Sequence, residues 1–343
     1  MKILLTTDLH LDLIKANQYR WRIFSFLEKM VEKHSIESLY ILGDLTEKSN
    51  KHDSILVNSI MHSLDSLLQN CDVSILMGNH DYFDIENPFF KFVEKLRDGQ
   101  RYVNFVNTPI CLNDLFIFIP NRMIDEGMEL VDNNVKFLCV HEAIKGFKYE
   151  SGKDSDGFDK EIFKDLLVFN GHLHRPQRMD NIVCLGSPYP IRFNNLGDIC
   201  GSESKVYILD TDTGKLSEYL THIMNRRKII LYPEDFEGGF LDLEKFFCEE
   251  DEGNQFKFEI VLQKSMLYKY SEYVSIVKRT CKTHAIEYHG CQCTLLKEEE
   301  VKSKKKKKRE REETPEDILK RYGEKENLTK EQMELALILM EEN

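Results

Sequence analysis

The sequence predicts an α/β protein. Residues 1–224 read as two facing β-sheets flanked by helices, residues 225–300 as a small α+β module, and residues 314–343 as a helical pair. Three observations carry this. Short apolar runs alternate with segments of helical periodicity through the first hundred residues, which implies crossover units and a largely parallel sheet. From about residue 100 the pattern shifts to short strands with polar turns, which implies a second sheet. A basic run then sets residues 314–343 apart from the rest.

The elements follow in order. Ile3-Leu4-Leu5 is the first strand. Residues 19–33 place Trp21, Phe24, Leu27, Met30 and Val31 at helical spacing. Residues 39–42 are the next strand, and residues 53–69 the next helix, through Leu56, Ile60, Leu64, Leu67 and Leu68. Residues 73–77, 137–140 and 166–169 are further apolar runs of strand length. Residues 204–209 and 216–222 flank a polar turn at 210–214 and read as a hairpin. In the module joined through Arg226-Arg227-Lys228, residues 256–262 read as a strand, 267–282 as a helix and 285–296 as a strand. Eight of the ten residues 302–311 are Lys or Arg, with no apolar side chain among them, so 301–313 reads as a solvated linker. Thr314-Pro315-Glu316-Asp317 starts one helix with a cap, a proline and acids in the first turn; Gly323 ends it. Thr329 to Gln332 matches a capping box. The helix after it carries more apolar surface than two short helices can bury between themselves. Met333, Leu337 and Met340 are spaced as anchors for a partner's groove.

The chain has 343 residues and 41% hydrophobic residues, enough for a sizeable core. Its nine cysteines form no C-x-x-C pair, and Cys291-Gln-Cys293 reads as alternating strand positions. That usage fits a reducing compartment, and a cytoplasmic protein is expected. Asp8 and His10 interrupt the apolar N-terminus before a signal-peptide core, and no run approaches a membrane span. The net charge of −12 weakly disfavours a broad nonspecific DNA clamp and says little about a metal-centred site.

Five strings stand directly after apolar runs: Asp8-Leu9-His10, Gly43-Asp44, Gly78-Asn79-His80-Asp81, His141 and Gly171-His172-Leu173-His174. Ligands at successive strand ends converge on one sheet edge, where open α/β sheets place their sites. The strings supply carboxylates, an amide oxygen and imidazoles, a mixed shell that suits Mn²⁺, Zn²⁺ or Fe²⁺ better than Mg²⁺. Two divalent cations about 3.5–4 Å apart can clamp a phosphate and activate water.

The ordered strings resemble those of the calcineurin-like metallophosphoesterases, whose fold is a two-sheet β-sandwich with helical layers. The resemblance implies Asp44 as a carboxylate bridging two metals. Asp8, His10 and His174 would complete the first metal, and Asn79, His141 and His172 the second. It implies His80 beside the metals, facing the scissile phosphate, where a proton can be given to the leaving oxygen. Gly171-His-Leu-His-Arg-Pro-Gln177 followed by Leu185-Gly-Ser-Pro-Tyr-Pro-Ile191, the small module and the tethered helices are together similar to the SbcD-type nucleases, with the compactness of phage recombination endonucleases. That branch implies a DNA exonuclease or endonuclease using two ions, Mn²⁺ first. It implies an SbcC-type coiled-coil ATPase as partner, within a heterotetramer built on a homodimer, and no membrane. Arg175, Arg192, Arg226 and Arg227 are the arginines expected at DNA. Glu47 stands where many members carry His; it is either an orienter of His80 or a loop carboxylate. A metallophosphatase and an architectural subunit are the alternatives. Leu45-Thr-Glu-Lys and Asp81 depart from the protein-phosphatase pattern, and the intact ligand set argues against a merely architectural role.

Overall fold

The computed structural model describes residues 1–296 apart from 83, 164–165, 194–198, 201–202, 225, 240, 242–254 and 285. The expected linker 301–313 and the helical pair 314–343, with Met333, Leu337 and Met340, lie outside the described residues.

The chain opens with β1 (Lys2–Thr6), α1 (Arg22–His34), β2 (Ser38–Ile41), α2 (Ser54–Leu68) and β3 (Asp72–Leu76). β1, β2 and β3 pair in parallel, so each helix is a crossover. The helix expected from residue 19 starts instead as a 3-10 turn, Lys15–Trp21, before α1. Both helix types bring i and i+3 near one another, so apolar spacing does not separate them. Asp53 caps α2, accepting from Ile55 N–H at 2.8 Å.

Next come β4 (Arg97–Asp98), β5 (Arg101–Val106), β6 (Ile110–Leu112), β7 (Phe116–Ile119), α3 (Ile124–Met128), β8 (Phe137–Val140), β9 (Leu167–Asn170), β10 (Gln177–Met179) and β11 (Ile182–Cys184). After β12 (Ile199–Cys200), the hairpin β13 (Lys205–Asp210) and β14 (Lys215–Leu220) closes with Asp210 opposite Lys215, and Gly214 in its turn has φ +69°. The remaining elements are β15 (Arg226–Leu231), β16 (Gln255–Leu262), α4 (Tyr270–Thr283) and β17 (Glu287–Leu295).

Among the described residues three sheets result, with orders β14-β13-β1-β2-β3-β5-β4, β10-β11-β9-β8-β7-β6 and β12-β15-β16-β17. Strand side chains alternate between faces, and that alternation builds the sandwich. Leu4, Leu39, Ile41, Val73 and Ile75 pack with Ile23, Leu27, Ile60 and Leu64 of the helices. Ile3, Leu5, Tyr40 and Leu76 turn the other way, onto Phe116, Phe118, Phe137, Cys139 and Phe169 of the second sheet. The outer face of that sheet, Ile117, Leu138, Val140 and Val168, packs with Ile124 of α3, Phe147 and Phe163. This is the two-sheet, helix-flanked α/β fold expected from the sequence.

The chain divides into two compact units, Met1–Ile230 with Asp242–Phe258 and Lys278–Gly290, and Leu231–Leu241 with Glu259–Val277 and Cys291–Asn343. No helix among the described residues is long and apolar enough to cross a membrane.

Candidate metal centre

β1, β2 and β3 run parallel in one sheet, and β7, β8, β9 and β11 do so in the other. The loops after β1, β2, β3, β8 and β9 meet, and they carry all seven expected ligands. Four of those ligands have left-handed backbone: Asp8 (φ +52°), His10 (+43°), Asp44 (+53°) and His172 (+69°). Such conformations cost non-glycine residues of order 1–3 kcal/mol each and gather where a site requires them. Gly43 and Gly78 answer a different need. A Cβ on Gly43 would overlap the His141 ring, and one on Gly78 would overlap the Asp44 carboxylate.

Two groups of ligand atoms face inward. In the first, His10 Nε2 lies 3.1 Å from His174 Nε2, 3.8 Å from Asp8 Oδ1 and 3.5 Å from Asp44 Oδ2, and His174 Nε2 lies 3.7 Å from Asp8 Oδ1. In the second, His141 Nε2 lies 3.4 Å from Asp44 Oδ1 and 3.1 Å from Asn79 Oδ1, which lies 2.8 Å from His172 Nδ1. Each oxygen of Asp44 therefore serves one group. A cation fits the first group on the structure's own terms, because Asp8 Oδ1 is buried with no hydrogen-bond partner and two imidazole nitrogens face each other there. Enzymes with such shells work with divalent metal ions.

Several supporting side chains escaped the sequence reading. Asp81 is buried, accepts from Gly78 N–H at 3.0 Å and Leu45 N–H at 3.1 Å, and so ties the Asp44 loop to the Asn79 loop. Buried Arg20 donates to the main-chain oxygen of His10 and stands 3.4 Å from Glu47 Oε2. Ser187 Oγ donates to Asp8 O at 2.9 Å, and Tyr189 Oη donates to Leu9 O, which gives the Gly-Ser-Pro-Tyr string its structural work. Glu150 Oε2 lies 3.3 Å from His174 Nδ1. Asp81 and Ser187 stand inside the quoted strings and were within reach; Arg20 and Glu150 carry no local signal.

A cavity of about 360 Å³ opens on the site, lined by Asp44, Asn79, His80, His172, His174 and Arg192 among others. A second, of about 320 Å³, is lined by Asn79 and His80 together with Glu47, Lys48 and Lys51. Both lysines are exposed, and neither forms an ion pair among the described residues. His80 Nδ1 donates to the main-chain oxygen of Glu47 at 2.8 Å. The Glu47 carboxylate faces His10 Nδ1 instead, at 3.3 Å.

The arginines expected at DNA fare unevenly. Arg192 lines the first cavity. Arg175 is exposed, with Nε 3.5 Å from Glu203. Arg227 sits in β15, and its side chain is outside the described set. Arg226 corrects the expectation. It is 5% exposed, and its guanidinium donates to Gln255 Oε1 (2.8 Å), Ile191 O (2.7 Å) and Asn17 Oδ1 (2.8 Å) while stacking on Tyr19 and Phe193. With a further bond to Ala16 O at 3.2 Å, four of its five N–H groups are spent inside the chain.

The carboxylates of the site raise two of its imidazoles. Burial pushes His10 down, but Asp8, Glu47 and Asp44 outweigh it and raise the imidazole to about 9. His141, opposed by burial but facing Asp44 and Asp8, is raised to about 10. Burial and the cationic His141 push His172 down to about 4. Metal uptake at pH 7 should therefore release protons, about one each from His10 and His141, so affinity falls with falling pH. Titration calorimetry in buffers of different ionisation heat measures this; uptake without proton release would refute it. The raised imidazoles also stabilise the metal-free fold fully below their ordinary 6.5, and that stability is lost as pH rises through 9 and 10.

Residues 1–200 match the family model for calcineurin-like phosphoesterases. The chain belongs to that family. It is a hydrolytic phosphoesterase. Among its relatives is 244L of invertebrate iridescent virus 6, named as a phosphoesterase, at 24% identity over 198 residues, 54% of this chain and 69% of that protein. Another is exonuclease subunit 1 of Enterobacteria phage T4, 25% identical over 289 residues, 77% of this chain and 81% of that one. The nuclease MPE of Pseudomonas putida overlays with a TM-score of 0.32 at 14% identity, over 63% of this chain and 87% of that one.

Proposed function

We propose that this metallophosphoesterase is a DNA exonuclease/endonuclease, the catalytic subunit of an SbcCD-type complex that processes DNA ends. The observation that carries the reading is the reach of the likeness to the phage exonuclease subunit, 289 residues and 77% of the chain, where the family model stops at residue 200. The cavities support it. A phosphodiester needs room on both sides of the scissile phosphate, and Asn79 and His80 line both cavities, the second of which is also lined by Lys48 and Lys51.

Asp8, His10, His174 and Asp44 would hold one ion; Asp44, Asn79, His141 and His172 the other. The mixed shell favours Mn²⁺. When bound, such ions polarise a phosphoryl oxygen and make water nucleophilic at neutral pH. His80 then turns Nε2 to the leaving oxygen, since its Nδ1–H is held by Glu47 O, and its imidazolium form would give that oxygen the Nε2 proton. Glu47 contributes to catalysis by that main-chain grip. Lys48 and Lys51 hold the strand by its phosphates, with Arg192 on the other side. The module at 225–300 selects DNA structure, and residues 314–343 dock an SbcC-type ATPase in a heterotetramer in the cytoplasm.

The test is Mn²⁺-dependent hydrolysis of duplex, single-stranded and hairpin DNA beside a nitrophenyl phosphomonoester and diester, for the full chain and a chain ending at residue 313, each with its co-expressed ATPase. DNA cleavage is expected in the full chain. Lys48→Ala with Lys51→Ala should weaken DNA binding and its salt dependence while leaving the small diester unchanged. Hydrolysis of the monoester alone would make the protein a phosphatase. Bound ions without any hydrolysis would make it an architectural subunit. ATPase retention by the shortened chain would reject the docking segment.

A further inference from the structure

The two halves of the metal centre are backed unequally. An imidazole that gives one nitrogen to a cation donates its other N–H to an acceptor, and an ionised acceptor makes the ring the stronger donor. His141 turns Nδ1 to the main-chain oxygen of Leu42, 2.6 Å away. His172 uses Nδ1 towards Asn79. No carboxylate stands behind either ring among the described residues. On the other side, His174 Nδ1 lies 3.3 Å from Glu150 Oε2 and His10 Nδ1 lies 3.3 Å from Glu47 Oε2. The Glu47 charge is shared with Arg20, 3.4 Å away. Glu150 meets no Lys or Arg among the described residues, and its Oε2 faces His174. It is carried on a closed turn, in which Tyr149 N–H donates to Lys153 O and Gly152 N–H to Tyr149 O, both at 2.9 Å.

We propose that Glu150 is a positioning residue which, through His174, makes the site of Asp8, His10, Asp44 and His174 the tighter of two unequal ion sites. This rests on the two-ion reading above. The carboxylate holds the His174 proton on Nδ1, which leaves the Nε2 lone pair directed at Asp8 and His10.

Calorimetric titration of the metal-free full chain with Mn²⁺ tests this. The wild type takes up two equivalents in separate steps. Glu150→Gln keeps the shape and an acceptor oxygen but removes the charge. It should weaken the tight step roughly 10- to 100-fold, leave the weak step in place and leave the thermal midpoint of the metal-free protein unchanged. Single-site backgrounds separate positioning from general support of the loop. In His172→Ala, adding Glu150→Gln should lower the affinity that remains; in His174→Ala it should change nothing, because its partner is gone. Equal weakening in both backgrounds would overturn the proposal, as would two wild-type steps that Glu150→Gln leaves unmoved. A wild type that binds no Mn²⁺ would remove the two-ion reading, and this proposal with it.

Discussion

Asp44→Ala yields a folded protein that holds neither metal ion well. The expectation comes from the division of its carboxylate, with Oδ2 3.5 Å from His10 Nε2 in one group and Oδ1 3.4 Å from His141 Nε2 in the other. Two dications about 4 Å apart repel by roughly 17 kcal/mol at an effective dielectric constant of about 20. Terminal ligands offset part of this for each ion singly, but only a shared anion lies between both. Asp44 Oδ1 also accepts from His80 N–H at 2.8 Å, so the loop after β3 loses one anchor. Asp81 still ties that loop to Leu45 N–H, which is why the fold is expected to survive. Elemental analysis after dialysis should find well under one equivalent of metal, with circular dichroism unchanged. Two full equivalents in a folded variant would reject the bridge.

His80→Ala retains its metal and loses about two to four powers of ten in kcat, the usual range for one acid–base group. The motive is position. His80 lines both cavities, and its Nδ1 is fixed by Glu47 O. One competing role is visible in the same geometry, because a nitrogen of His80 lies within 4.8 Å of ligand atoms of His10 and Asp44. The two roles part cleanly. A proton donor leaves stoichiometry intact, and its loss is felt less by substrates with a good leaving group such as nitrophenolate. A ligand lowers metal content, and its loss is felt equally by all substrates. Normal turnover on DNA would dismiss both.

Much of this centre was legible in the sequence, for a physical reason. Asp8, Asp44, Asn79, His141 and His172 each follow an apolar run, and a strand is recognised from such a run without knowing its partners. Parallel pairing then places the ends of the runs on one edge, so the ligand list needs local pattern and one topological rule. The turn at 210–214 was readable on the same local terms. Helix starts were less so, since the spacing around Trp21 suits a 3-10 turn as well as an α-helix.

What the sequence by itself determined is the set of ligand-bearing strings and the class of fold that gathers them. Tertiary structure alone decided their partners. Glu150 stands 24 positions from His174, and Arg20 stands 27 from Glu47. Neither separation carries a period that a strand or helix would impose. Arg226 looked like a cation for DNA because it sits in a basic triplet, yet packing enclosed it between Tyr19 and Phe193. Lys48 and Lys51 carry no local signal, yet the folded loop sets them in the cavity beside His80. Charge is a property of a residue and can be read in one dimension. Whether that charge is buried, paired or open to a substrate depends on distances between segments that only the fold brings together.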